Sequence, residues 1–151
     1  GAGPGMLVGA ALALQDTGRL PVAVLGDGDF MMGVAALWSG AHYRVPFVAV
    51  VANNQSFFND EVHQERVAVM RERPVENKWI GQRIADPDID LAGVARAQGL
   101  EGIGPVHTVG ELADAVREAV AMAKQGKSVV VDARVRPGYN PNMAAGLTRS
   151  D

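Results

Sequence analysis

The 151-residue sequence contains no cysteine, which removes disulfide frameworks and thiolate metal sites together. It also lacks strong positive charge. Its 14 Lys and Arg stand against 17 Asp and Glu for a net charge of −3, and they form no stripe that could track a nucleic-acid backbone or an anionic membrane. Long apolar runs are missing too: the longest, such as Phe47 to Ala52, fall far short of the roughly 20 residues a bilayer-crossing helix needs. There is no secretory leader pattern and no initiator methionine. The glycine-dense opening Gly1-Ala2-Gly3-Pro4-Gly5 reads as a turn, and we expect a further region to precede it. These absences leave small molecules as ligands and a cytoplasmic location as the expectation, with neither nucleic acid nor membrane as a partner.

What is present is 48% hydrophobic, enough for the core of one domain, taken as residues 1–135, followed by an irregular tail over 136–151. Met6 to Gln15 is apolar almost all round, which suits a helix buried between layers. Leu20 to Leu25 and Phe47 to Ala52 are short apolar runs stopped by glycine or asparagine, the pattern of parallel strands buried on both faces. Between them the spacing of Met31, Ala35, Trp38 and His42, with Leu37 alongside, makes Phe30 to Arg44 read as one helix, so the three make a βαβ unit. Phe57 to Arg73 opens as a helix and Pro74 to Asp88 reads as a long surface loop. Asp90 caps a helix running to Gln98. Thr108-Val109-Gly110-Glu111 is a capping box for a helix over Leu112 to Gln125, and Ser128 to Val135 is a third strand. Strands alternating with helices imply an α/β fold, three layers α/β/α around a mostly parallel sheet.

In such a sheet the ligand-binding loops gather at the carboxyl edge. Gly26-Asp27-Gly28 ends the first strand, and Asn53-Asn54 ends the next after residues 29–52. The glycines let backbone N–H groups approach a diphosphate, and the carboxylate between them can hold a hard cation. Mg²⁺ takes oxygen ligands at about 2.0–2.1 Å and is commonly completed by phosphate oxygens. Asp27 and the Asn54 amide oxygen would supply the protein's share, leaving a net positive ion that calls for an anionic ligand. The helix start beside Phe30 would add N–H donors.

The sequence GDGDF followed at that spacing by NN resembles the cofactor-binding motif of thiamine diphosphate (ThDP) enzymes. The opening glycines and GAALAL are similar to the acetolactate synthase, benzoylformate decarboxylase and pyruvate oxidase branch, so the likeness runs over roughly residues 1–135. The resemblance implies the diphosphate-binding domain of such an enzyme. It implies ThDP and Mg²⁺ as cofactors, with Asp27, Asn54 and the Ser56 carbonyl on the metal. Gly26, Gly28, Asp29, Phe30 and Phe57 would lie along the cofactor. Many relatives carry a small hydroxyl residue where this chain has Asp29. The resemblance further implies decarboxylation or carboligation of a small-molecule 2-oxo acid, the cofactor serving as electron sink. A pyrimidine-binding domain in the same chain or another subunit would carry the activating glutamate, in a homodimer or homotetramer.

Phe58, Asn59 and His63 follow the motif and are the expected wall of the substrate pocket, with His63 able to relay a proton. A histidine in the acidic stretch NDEVHQE also fits a solvated helix position. The residues alone leave open a nucleotide- or phosphate-binding α/β module without catalysis. That reading is weakened by the absence of a G-x-x-x-x-G-K-[ST] loop and of a G-x-G-x-x-G turn after a strand.

Overall fold

The computed structural model describes residues 1–138, so most of the expected irregular tail lies outside the described residues. In chain order the elements are α1 (Gly3–Ala13), β1 (Val22–Gly26), α2 (Asp27–Gly33), α3 (Ala36–Tyr43), β2 (Phe47–Asn53), α4 (Phe58–Met70), α5 (Leu91–Ala97), β3 (Glu101–Val106), α6 (Val109–Ala123) and β4 (Ser128–Arg134). The strands form one sheet in the order β1-β2-β4-β3, and every pairing is parallel. On one face Ala115, Ala119 and Ala123 of α6 pack on Val48, Val129 and Val131. On the other, α1 and α5 bring Leu7, Val8, Ala11, Leu91 and Ala95 onto Phe47, Ala49, Val51 and Val130. This is the expected three-layer α/β/α arrangement.

The alanines of α6 recur every fourth residue and so share one stripe, letting the helix lie close to the valine-rich sheet. Its start is fixed as expected: the Thr108 hydroxyl accepts the Glu111 N–H, and the Glu111 carboxylate accepts the Thr108 N–H in return. Asp90 caps α5 by accepting the Gly93 N–H.

Four features depart from the sequence reading. The fourth strand, β3, was not expected, because EGIGPV contains two glycines and a proline. It lies at the sheet edge and is irregular between Ile103 and Val106, which is where a proline lacking an N–H is tolerated. The single helix expected over Phe30 to Arg44 is two, α2 and α3, separated at Val34–Ala35. The break changes the phase, so Leu37 and Gly40 face the core, whereas Trp38 is exposed and stacks on His42.

The expected turn at residues 1–5 instead opens α1, with Pro4 in its first turn, where the ring's fixed φ is suited to helix entry. Finally, α1 and β1 are buried on one face only. Met6 stands 69% exposed, and Val22 and Val24, on the α6 side of the edge strand β1, are 59% and 74% exposed, because α6 packs on β4, β3 and β2.

Thr108→Ala removes the hydroxyl half of the capping box and should cost about 1 kcal/mol. Urea denaturation would register this as a lower midpoint with an unchanged slope.

Candidate functional site

The parallel register sets Gly26 beside Ala52, so the residues following β1 and β2 emerge together at the carboxyl edge of the sheet. Gly26 is extended (φ −77°, ψ 153°) and α2 begins at the next residue, which turns the Asp27 side chain inward. Asp27 is 2% exposed. Its Oδ1 accepts the Gly28 N–H at 2.9 Å and its Oδ2 accepts the Ser56 N–H at 3.1 Å. Asn54 Oδ1 accepts that same Ser56 N–H at 3.0 Å. Two oxygen donors separated by 26 residues of chain thus converge on one amide nitrogen.

A cleft of about 330 Å³ opens over this point. Gly26, Asp27, Gly28, Asp29, Asn54, Ser56, Phe57, Phe58 and Asn59, all expected site residues, line it. The Phe57 ring lies against Gly28 so closely that a Cβ there would sit 2.4 Å from a ring carbon; only glycine fits. Gly26 is different, since a Cβ on it would meet nothing within 4 Å. Its lack of a side chain leaves open space rather than relieving a clash.

Two expected residues lie elsewhere. Phe30 is fully buried in the core under α1, and His63 is exposed on α4, lining a separate groove with Gln64, Val67, Ala68, Arg71, Arg73 and Pro74. The Asp29 carboxylate turns toward the start of α1, accepting the Gly3 N–H at 3.5 Å.

The turn carrying Asn54 is fastened from several directions that the sequence reading missed. Asn53 Nδ2 donates to Asp132 Oδ1 at 2.9 Å, and Asn53 Oδ1 accepts the Gln55 N–H at 3.2 Å. Gln55 Nε2 donates to Asp88, whose two oxygens also each accept from Arg134 Nη2 at 2.7 Å. The Ser56 hydroxyl donates to the buried Glu61 carboxylate, whose other neighbour is Arg83 at 3.6 Å. Ser56 pairs with Arg83 in an isolated bridge whose acceptors are Gln55 O and Gln82 O, leaving the Ser56 carbonyl outside that ladder.

Val135 and Arg136 also line the cleft. Their presence was foreseeable, because β4 runs parallel to β2 and must deliver the residues after Arg134 to the same edge.

Burial raises the pKa of Asp27 above 3.8, partly offset by the N–H groups of Gly28, Gln55 and Ser56. A buried carboxylate whose charge is only partly compensated favours a cation beside it. Among the described residues no cluster of three or more His, Cys, Asp or Glu side chains forms a metal site. One carboxylate and one amide oxygen therefore suit an ion that draws its remaining ligands from a bound anion and water.

Residues 1–133 match the family model for the thiamine pyrophosphate enzyme, C-terminal TPP binding domain. The chain is 27% identical to the benzoylformate decarboxylase of Pseudomonas aeruginosa over 129 residues, 80% of this chain and 21% of that protein. It is 26% identical to the sulfoacetaldehyde acetyltransferase of Rhodobacter capsulatus, over 85% of this chain and 20% of that protein. Among solved structures, the thiamine diphosphate-dependent 4-hydroxybenzoylformate decarboxylase of Rhodococcus jostii superimposes with a TM-score of 0.66 at 26% identity, covering 89% of this chain and 22% of that one. The chain thus spans about a fifth of the length of these relatives.

The buried Asp132 sets a pH dependence of its own. Burial lifts its folded-state pKa above the 3.8 of an ordinary Asp, so its contribution to stability is present below 3.8 and is lost as pH rises through the folded value. Asp132→Asn does not titrate and can still accept from Asn53. Urea denaturation of metal-free protein, from below pH 3.8 to neutrality, should show the variant gaining on the wild type as pH rises and then levelling off. A pH-independent difference would contradict this burial effect.

Proposed function

The chain belongs to the thiamine pyrophosphate enzymes as their C-terminal TPP-binding domain, and from that membership we propose that its cleft holds the cofactor's diphosphate through Mg²⁺. The observation carrying this reading is the convergence of Asp27 Oδ2 and Asn54 Oδ1 on the Ser56 amide, with the side-chain-free Gly26 beside it. Asp27 supplies the single negative ligand, Asn54 a neutral one, and the Ser56 carbonyl a third. An ion held by these groups would stay net positive and so would suit an anionic diphosphate beside it. Gly28 and Asp29 offer backbone N–H groups to the same anion, and Phe57 closes the cleft against Gly28.

When bound, thiamine diphosphate supplies an electron sink for cleavage or formation of the bond next to a 2-oxo acid carbonyl. This domain binds and orients it. Phe57, Phe58 and Asn59, which line the cleft, form the near wall of the substrate pocket, and the reading gives no step to His63. We further propose that decarboxylation or acyloin-type carboligation of a 2-oxo acid needs a pyrimidine-binding domain, in the same polypeptide or another subunit. We place the assembly, a homodimer or homotetramer, in the cytoplasm. The likeness to a benzoylformate decarboxylase supports the decarboxylase side, and that to an acetyltransferase supports transfer chemistry.

Calorimetric titration with ThDP in the presence and absence of Mg²⁺ tests the reading. Metal-dependent heat is expected from ThDP. Heat from ATP with none from ThDP would instead favour a nucleotide-binding module. Asp27→Ala should abolish Mg²⁺-dependent binding, while Asn54→Ala should weaken it by about ten- to a hundredfold. Gly26→Ala should leave the thermal midpoint unchanged, since its Cβ meets nothing, yet weaken ThDP binding by filling the space the diphosphate needs.

A further inference from the structure

One buried group is used neither by the proposed metal set nor by the core. Asp132 is 0% exposed in the middle of the sheet. It lies opposite Val51 in the β2–β4 register, and so faces the same side as Val130 and the cluster under α1 and α5. One carboxylate oxygen receives the Asn53 amide, and the other has no hydrogen-bond partner. A leucine or valine here would pack with Val51 and Val130 on that face at no desolvation cost, whereas a half-satisfied carboxylate is expensive to bury. What it does in return is visible at its partner. Asn53 spends its amino group on Asp132 and its carbonyl on the Gln55 N–H. Its amide plane, and with it the direction in which the chain leaves β2, is therefore set from below.

The chain there needs setting. Gln55 adopts φ 59°, a left-handed conformation that a non-glycine residue holds only when its surroundings enforce it. That residue stands between Asn54 and Ser56, two of the three positions whose oxygens the metal reading uses. Asp88 holds the Gln55 side chain and Glu61 holds the Ser56 hydroxyl. Carboxylates from a loop, from α4 and from β4 thus each grip a different neighbour of Asn54. Of the three, Asp132 acts at the root of the turn. Asp88 is an exposed loop residue, and Glu61 acts beyond the strained position.

We propose that Asp132 is a positioning residue: acting through Asn53, it fixes the 53–56 turn so that the Asn54 oxygen stands at the distance from Asp27 that a small octahedral cation requires. This rests on the Mg²⁺–diphosphate reading above. Mg²⁺ demands near-ideal octahedral geometry at about 2.0–2.1 Å, whereas Ca²⁺ accepts irregular geometry at about 2.3–2.6 Å. Loosening the turn should therefore penalise Mg²⁺ selectively. Loss of fold alone would penalise both ions alike.

The test measures, in the full protein, the concentration of Mg²⁺ and of Ca²⁺ that half-saturates ThDP binding. For Asp132→Leu the Mg²⁺ value should rise about tenfold or more, in the range seen when groups supporting metal ligands are removed, while the Ca²⁺ value shifts by about threefold at most. Asp132→Asn, which keeps an acceptor for Asn53, should restore the Mg²⁺ value to within about threefold of wild type. If Asp132→Leu does not fold, Asn53→Ser cuts the same link from its other end and should show the same Mg²⁺-selective loss. Equal shifts for both ions, or no shift in the Leu and Ser variants, overturn the positioning role. Wild-type protein whose ThDP binding ignores both metals would instead overturn the site reading on which this role rests.

Discussion

The amide N–H of Ser56 is shared by two oxygens, Asp27 Oδ2 and Asn54 Oδ1, and the functional edge of the molecule is organised around that sharing. Asp27 is too buried to carry its charge cheaply, and an N–H offered to two acceptors satisfies neither fully. The pair is short of positive charge, so the fold presents a place where a cation gains more than water would. This shortage, rather than any large cluster of acidic groups, makes the cleft a candidate metal site.

Holding two oxygens together in this way works against the chain. Asn54 lies in a turn with a left-handed non-glycine residue next to it, and Asp27 sits at a strand-to-helix junction with the Phe57 ring pressed on the following glycine. The strain is borne by rigid surroundings: a central parallel strand pair on the β4 side, a buried carboxylate beneath, and bridges from the Pro74 to Asp88 loop and from α4. The long loop, without regular secondary structure, is thereby part of the site. Its Gln82 carbonyl accepts the Phe57 N–H, and its Ile84 N–H donates to the Gln55 carbonyl.

Membership of the TPP-binding family gives this arrangement a chemical meaning, and the chain spans about a fifth of the length of the relatives it matches. The exposed valines of β1 and the outward methionine of α1 agree with a module whose apolar surfaces are only partly covered by the described residues.

Much of this was legible in the sequence. The apolar runs that became β1, β2 and β4, the capping box of α6 and the Asp90 cap are local signals, and local physics was enough to place them. The pairing of Asp27 with Asn54 was legible too, because parallel strands separated by one helical crossover put their carboxyl ends side by side whatever the details. Other features depended on neighbours remote in sequence. The strand EGIGPV exists because β4 offers it an edge, and Val22 and Val24 are exposed because α6 lies over the other strands. The phase of α3 follows a break that periodicity alone does not reveal. Above all, the grip of Asp132, 79 residues from Asn53, arises only once β4 is inserted beside β2. Composition and spacing determined which oxygens would meet; the tertiary structure decided how firmly they are held, because rigidity comes from packing and hydrogen bonds between distant segments that no local pattern encodes.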